Sequence, residues 1–413
     1  MNQPTLASDF AMRGPTAAGA SETAGCPCCG SSATQTLYRV PSIPVHSCIL
    51  LNSAEEARRF PCRDLQIAFC RDCGFLFNEI FDEAAMSYAG NFEESQHFSD
   101  TFNLFAKTLA RDIARKCRIS GKHVLEIGCG KGEFLRELCR VGGATGLGVD
   151  PGYRADAGRG ADDDEVRFIV DYFKPDGALN ADVILCRHTL EHIAPVREFV
   201  RSIREGIDSR TSPWIVFETP DAKRVLEEGA FWDMYYEHCS YFSPGAHARL
   251  FREQGFEVTD LTLEYGRQYI VQYARPASGR TTPRLGLEED LAEMHALAQG
   301  YPERVKRVQD AWRDLVTSAS ADGRAVVLWG GGSKGVSFLT TLGLDDEVAA
   351  VVDVNPYKQG KFMPGSAHRV VAPTELIHNP PDLVIVMNPI YVSEIRAALE
   401  AMNLHPDIIA VGV

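Results

Sequence analysis

His123-Val124-Leu125-Glu126-Ile127-Gly128-Cys129-Gly130-Lys131-Gly132-Glu133-Phe134-Leu135 is the stretch that decides the fold. Val124 to Ile127 reads as a buried strand, and Glu133 to Val141 carries Phe134, Leu135 and Leu138 on one helical side. Between them, Gly128, Gly130 and Gly132 let the backbone turn sharply and approach a ligand closely. Strand, glycine turn and helix open a nucleotide-binding α/β unit. The pattern continues outward. Gly146 to Val149 reads as a second strand ending in Asp150, where a carboxylate can accept both ribose hydroxyls. Phe168 to Val170 ends at Asp171 and Tyr172, an expected adenine edge, and Ala181 to Cys186 reads as the next strand. This alternation predicts an α/β architecture with a doubly wound parallel sheet.

Dinucleotide enzymes use a similar turn, so the glycines alone do not choose the ligand. The position of the acid does. Glu126 precedes the glycines, where it would repel a pyrophosphate but suits the cationic methionine end of S-adenosylmethionine (SAM). The segment from Lys107 to Ala274 resembles the class I SAM-dependent methyltransferase fold, within a domain placed at residues 86–275. The resulting cofactor contacts are Glu126, Gly128, Gly130, Gly132, Asp150, Asp171 and Tyr172.

Bulk properties narrow the class. The chain has 413 residues, 45% hydrophobic and 24% charged, enough for two to four globular domains. Its net charge of −14 comes without a Lys/Arg stripe, which argues against nucleic acid as a partner. No apolar run approaches the roughly 20 residues that span a bilayer, so no membrane partner is expected. Residues 1–24, rich in Ala, Thr, Ser and Gly, read as a flexible tail without a secretory signal, and the expected location is cytoplasmic.

Clustered cysteines in such a chain point to metal rather than disulfides. Cys26-Pro27-Cys28-Cys29-Gly30 and Cys70-Arg71-Asp72-Cys73-Gly74 are two knuckles with the spacing of a structural zinc site. Cys26, Cys29, Cys70 and Cys73 are the expected Zn2+ ligands. Cys28 competes by proximity, and Cys48, Cys62 and His46 are spare candidates. Residues 25–85 then form a zinc module whose metal supplies much of its folding energy. Cys117, Cys129, Cys139, Cys186 and Cys239 read as reduced core thiols.

Two clusters follow the fourth strand: His188-Thr189-Leu190-Glu191-His192, and Asp233-Met234-Tyr235-Tyr236-Glu237-His238-Cys239-Ser240-Tyr241-Phe242-Ser243. Ligands collect beyond the carboxyl ends of such strands. The spacing of His188 and His192 matches one helical face; the pair could bind a metal, but acid–base work is the expectation because the cysteines already account for one zinc. His238 can take and return a proton, Glu237 can orient it, and a tyrosine hydroxyl can steady an oxyanion.

Residues 276–321 read as a helical connector, two helices broken near Gly300-Tyr301-Pro302. Residues 322–413 repeat the strand, glycine turn and helix in Ala325 to Gly335, and read as a smaller Rossmann-like domain. The turn with Lys334 suits a phosphate-like anion.

Zinc module, SAM domain and Gly-Gly-Ser-Lys-Gly domain in this order resemble the zinc-containing sugar C-methyltransferases of deoxysugar pathways. The marks are the paired cysteines, Tyr235, Glu237 and His238, Ser333-Lys334-Gly335, and Asp353-Val354-Asn355-Pro356-Tyr357-Lys358-Gln359-Gly360-Lys361. The resemblance implies a nucleotide-linked 4-keto-6-deoxysugar as substrate, methylated through an enolate. It implies His238 as base, Tyr235 and His192 steadying the enolate, Glu237 holding His238, and Tyr88 facing substrate. Ser333, Lys334, Asn355 and Lys358 would bind the substrate. The chain departs from the family at Tyr236, commonly His, at His188, often Asn, and after Tyr88, differences expected on the pocket wall. The competing expectation is a methyltransferase of the same architecture acting at O, N or C of another small metabolite.

Overall fold

The computed structural model describes residues 25–86, 93, 95–154, 165–175, 179–279 and 282–412. The expected tail at 1–24 and Tyr88 lie outside the described residues. Seven strands form the central sheet: β1 (His123–Ile127), β2 (Thr145–Val149), β3 (Val166–Ile169), β4 (Val183–Arg187), β5 (Trp214–Pro220), β6 (Phe256–Glu264) and β7 (Tyr269–Pro276). Their order is β6-β7-β5-β4-β1-β2-β3. β1 is buried on both faces from Val124 to Ile127, Glu126 included, as its reading as a buried strand implies. Val124 joins the core under helices Asp100–Cys117 and Glu133–Gly142. Leu125 and Ile127 face the core under helices Val196–Gly206 and Pro244–Glu253. The doubly wound expectation holds with one correction: β7 runs antiparallel to both β5 and β6. The link from Glu264 to Tyr269 is too short for a crossover helix, so it closes a hairpin through left-handed Tyr265, Gly266 and Arg267.

The C-terminal domain has a five-stranded parallel sheet: β8 (Val326–Trp329), β9 (Ala350–Val352), β10 (Val370–Val371), β11 (Leu383–Val386) and β12 (Asp407–Ala410), in the order β10-β9-β8-β11-β12. This is the expected Rossmann-like arrangement.

The connector corrects the sequence reading. Leu291–Ala321 is one 31-residue helix that runs through Pro302. An internal proline costs about 3 kcal/mol, and packing offsets it. Met294, Ala298, Tyr301 and Val305 are buried along one stripe, and the Tyr301 hydroxyl donates to Met234 Sδ at 3.4 Å.

The N-terminal segment is also less independent than expected. Strands Thr34–Pro44, Cys62–Cys70 and Leu76–Asn78 form an antiparallel sheet whose fourth strand, Ser240–Tyr241, comes from the methyltransferase domain. Leu37, Val40, Leu65, Ile67 and Phe69 pack toward the connector helix and the C-terminal domain. Ala68, Phe75 and Phe77 pack toward the central domain. No helix among the described residues is long and apolar enough to cross a membrane.

Candidate active site

A cavity of about 390 Å3 opens at the carboxyl ends of β1, β2 and β4. The glycine turn forms one wall. Gly128, Gly130 and Gly132 all have left-handed φ angles, and a Cβ on Gly128 would meet Thr189 Oγ1 at 2.0 Å. Gly130 N donates to Asp150 Oδ2 at 2.8 Å, and Gly152 N donates to Asp150 Oδ1 at 2.7 Å. The carboxylate is thereby fixed at the cavity rim, with lone pairs remaining for hydroxyl donors. Glu126 is buried at the cavity floor, and its Oε2 has no hydrogen-bond partner among the described residues. Burial pushes its carboxyl up to about 8, with Arg187 opposing. An orphaned buried carboxylate beside a glycine cradle fits the cationic methionine end of SAM. Asp171 and Tyr172 do not line this cavity. Both are exposed beyond β3, where Asp171 caps Tyr172 N and pairs with Lys174.

Glu126 yields a pH prediction. A carboxyl raised above its unfolded value favours folding when protonated, so its contribution is present at low pH and lost as pH rises from about 4.5 to about 8. Glu126→Gln is expected to stabilise the cofactor-free protein at pH 8 by a few kcal/mol and to weaken SAM binding. Thermal unfolding at pH 6 and 8 with and without SAM checks both signs.

The same cavity is lined by the histidine and tyrosine cluster. The rings of His238 and His192 meet edge to face with centroids 4.7 Å apart, and Tyr235 lies 4.3 Å from His238. His192 Nδ1 contacts Glu237 O at 3.0 Å. The Tyr241 hydroxyl donates to Tyr235 O at 3.0 Å, and Ser240 Oγ donates to Ile193 O at 2.8 Å, so the segment is pinned to the turn after β4. Burial lowers the His238 pKa well below the ordinary value, and the electrostatic influence of His192, His188 and Lys334 acts in the same direction. The ring is therefore neutral near pH 7 and able to accept a proton. Burial raises Tyr235 well above the phenol range, so its hydroxyl keeps its proton for donation.

Three sequence expectations change here. His188 and His192 do not share a helical face. His188 has a left-handed φ of 47° and the following turn is a short 3-10 segment. Its ring lies 3.4 Å from Glu191 and 3.3 Å from Glu218. Burial opposes its charge, but Glu218 and Glu191 outweigh it and raise the pKa to about 9, so it is no base at neutral pH. Ligand atoms that do converge within 4.8 Å are those of Glu191, His192 and His238. Tyr236 turns away from the cavity, accepts from Asp82 N at 2.9 Å and packs on Phe81, so this departure does not touch the pocket wall. The Glu237 carboxylate faces Ser47 and His46 rather than the His238 ring: Ser47 N donates at 3.3 Å, Ser47 Oγ donates closely, and His46 Nδ1 lies 3.4 Å away.

A second cavity of about 280 Å3 adjoins the first and shares Tyr235, Tyr269, Cys48, Ser333 and Lys334 with it. It lies against the glycine turn of the C-terminal domain. Gly331 N donates to Asp353 Oδ2 at 2.9 Å, the same arrangement as Gly130 with Asp150. Ser333 begins helix Ser333–Leu342, and Asn355 and Lys358 line the same chamber. Lys334 pairs closely with Asp233, and Lys358 Nζ lies 3.5 Å from Asp353. Asn355 Nδ2 donates to Glu93 Oε1 at 2.9 Å, and Glu93 also holds Lys131 at 2.9 Å.

The four expected metal ligands come together. Cys26 Sγ lies 3.7 Å from Cys73 Sγ, Cys29 Sγ lies 3.6 Å from Cys70 Sγ, and all four sulfurs lie within 4.8 Å of one another. Sulfurs on a tetrahedral zinc, at about 2.3 Å from the metal, stand about 3.8 Å apart, so the set fits. Gly30 and Gly74 close each knuckle, their N–H groups donating to Cys26 O at 2.7 Å and Cys70 O at 2.9 Å. Cys28, Cys48, Cys62 and His46 are outside the set.

Residues 97–261 match the family model described as a methyltransferase domain, and residues 270–405 match the C-methyltransferase C-terminal domain. The C-methyltransferase NovU of Streptomyces niveus is 27% identical over 363 residues, covering 84% of this chain and 85% of that protein. Among solved structures, the 1,6-didemethyltoxoflavin-N1-methyltransferase of Burkholderia thailandensis is 18% identical, covering 43% of this chain and 82% of its own, with a TM-score of 0.34. A SAM-dependent methyltransferase from Mesorhizobium loti is 15% identical, covering 40% of this chain and 96% of its own, with a TM-score of 0.31. The chain is a SAM-dependent methyltransferase. More narrowly, the pairing of these two domains makes it a C-methyltransferase with the class I fold.

Proposed function

We propose that the chain methylates C3 of a nucleotide-linked 4-keto-6-deoxysugar through an enolate, with His238 as base. The observation that carries this reading is the meeting of His238, His192 and Tyr235 in the same cavity that the Glu126–Gly130 turn lines. A proton next to a ketone leaves readily only when a base and an oxyanion partner act together. The neutral His238 ring takes that proton. Tyr235 and His192 steady the oxygen of the enolate, and Glu237 positions the segment that carries His238. SAM supplies an electrophilic methyl group, whose bond to sulfur breaks as the new carbon–carbon bond forms. Ser333, Lys334, Asn355 and Lys358 hold the nucleotide diphosphate, in keeping with their place around the adjoining chamber. Asp150 takes the cofactor ribose, its carboxylate held by Gly130 and Gly152 with lone pairs left for the two hydroxyls. Cys26, Cys29, Cys70 and Cys73 hold a structural Zn2+ with no open position, a thiolate centre suited to a reducing cytoplasm.

The test is to supply SAM with a thymidine diphosphate-linked 4-keto-6-deoxysugar and locate the new methyl group by NMR. A methyl on C3 is expected. Turnover only with another acceptor, or a methyl on oxygen or nitrogen, rejects the reading.

A further inference from the structure

Glu237 lies in the methyltransferase domain, yet its carboxylate is held by the N-terminal segment. His46, Ser47 and Glu237 are 3%, 1% and 4% exposed. Ser47 donates to the carboxylate through both its backbone N–H and its hydroxyl, and His46 Nδ1 lies 3.4 Å from Glu237 Oε2. His46 Nε2 in turn lies 3.1 Å from Met86 O, which fixes the ring from its far side. Ser47 Oγ also lies 2.7 Å from Ser333 Oγ at the head of the C-terminal domain's helix. One buried point thus joins all three parts of the chain. The peptide it anchors is the one whose carbonyl contacts His192 Nδ1 at 3.0 Å and whose next residue is His238. The burial of this carboxylate pushes its pKa up, and His46, His192 and Ser47 together overcome that and hold it low. The carboxylate is therefore an ionised anchor whose hydrogen bonds are charge-assisted and correspondingly stiff.

We propose that His46 and Ser47 are positioning residues of the active site, fixing the Glu237 carboxylate and through its peptide the rings of His192 and His238. The inference rests on the reading of His238 and His192 as the working pair. Displacing a reacting group by about 1 Å can cost about 100-fold in rate, so the anchor matters although neither side chain reaches the acceptor.

The test uses the full-length protein in three variants. His46→Leu removes the donor to Glu237. His46→Asn keeps an amide N–H at the Nδ1 position and loses the contact to Met86. Ser47→Ala removes the hydroxyl. kcat is expected to fall about tenfold or more in His46→Leu and Ser47→Ala, with KM for SAM unchanged, and to recover largely in His46→Asn. In protein labelled with 13C at histidine Cε1, the resonances of His192 and His238 are expected to move in His46→Leu and to return in His46→Asn. That second readout needs no methyl acceptor. Unmoved resonances, or an equal loss of kcat in the Leu and Asn variants that tracks a fall in melting temperature, overturn the proposal. Shifted resonances in a protein that never methylates a keto sugar reject the substrate reading and leave the positioning role standing.

Discussion

In a His238→Ala variant, methyl transfer is expected to fall by about 10²- to 10⁴-fold, the range that a general base contributes, while SAM affinity stays at the wild-type value. The two effects separate because His238 sits beside His192 and Tyr235 rather than in the glycine turn, and Glu126 and Asp150 are untouched by the change. The pH profile adds a sign. A base works when unprotonated, and burial together with neighbouring positive charge keeps His238 unprotonated to lower pH than an ordinary histidine. The acid limb of kcat/KM is therefore expected below the usual histidine value near 6.5. Steady-state kinetics from pH 5 to 8 with calorimetric titration of SAM check the set. Unchanged turnover in the variant removes His238 from the mechanism.

Loss of the four-cysteine centre is expected to have the largest effect on stability. Structural zinc contributes about 10–16 kcal/mol in small zinc peptides at pH 7, against about 5–15 kcal/mol of net stability for a whole domain. Cys70→Ser breaks the centre within the strand Cys62–Cys70, whose remaining residues are pinned between two cores. The variant is expected to bind no zinc, to lose the cooperative melting of the N-terminal sheet and to lose activity, since His46 and Ser47 leave Glu237 with that sheet. Elemental analysis, calorimetry and a methyl-transfer assay on the same preparation read all three. A Cys70→Ser protein that melts like wild type rejects the zinc assignment.

The two glycine turns, the strands that precede them and the cysteine set were legible because each rests on local chemistry: apolar runs, left-handed glycines and a fixed ligand spacing. The Tyr235–His238 segment was legible as a cluster of reactive types. What stayed hidden depends on contacts between distant residues. His46 lies 191 positions from Glu237, and its own neighbourhood marks it only as a spare metal ligand. Arg187 and His188 flank the buried Glu218, whose carboxyl they pull down to about 2 against the cost of burial. Thus a histidine that reads locally as an acid–base group is a fixed cation. Pro302 misled for the same reason. Its local rule is to end a helix, and the burial of Tyr301 one position earlier comes from the domains on either side.

The two-residue strand Ser240–Tyr241 bears on how this protein can be taken apart. It belongs by chain order to the domain matched at residues 97–261, but it completes a sheet built from residues 34–78. A fragment begun at residue 97 would strip the partner from that edge and bare the greasy surface that Phe75 and Phe77 cover. The matched boundaries mark stretches of kinship rather than pieces that stand alone, and exchanging acceptor modules between relatives would have to carry both sides of this seam together.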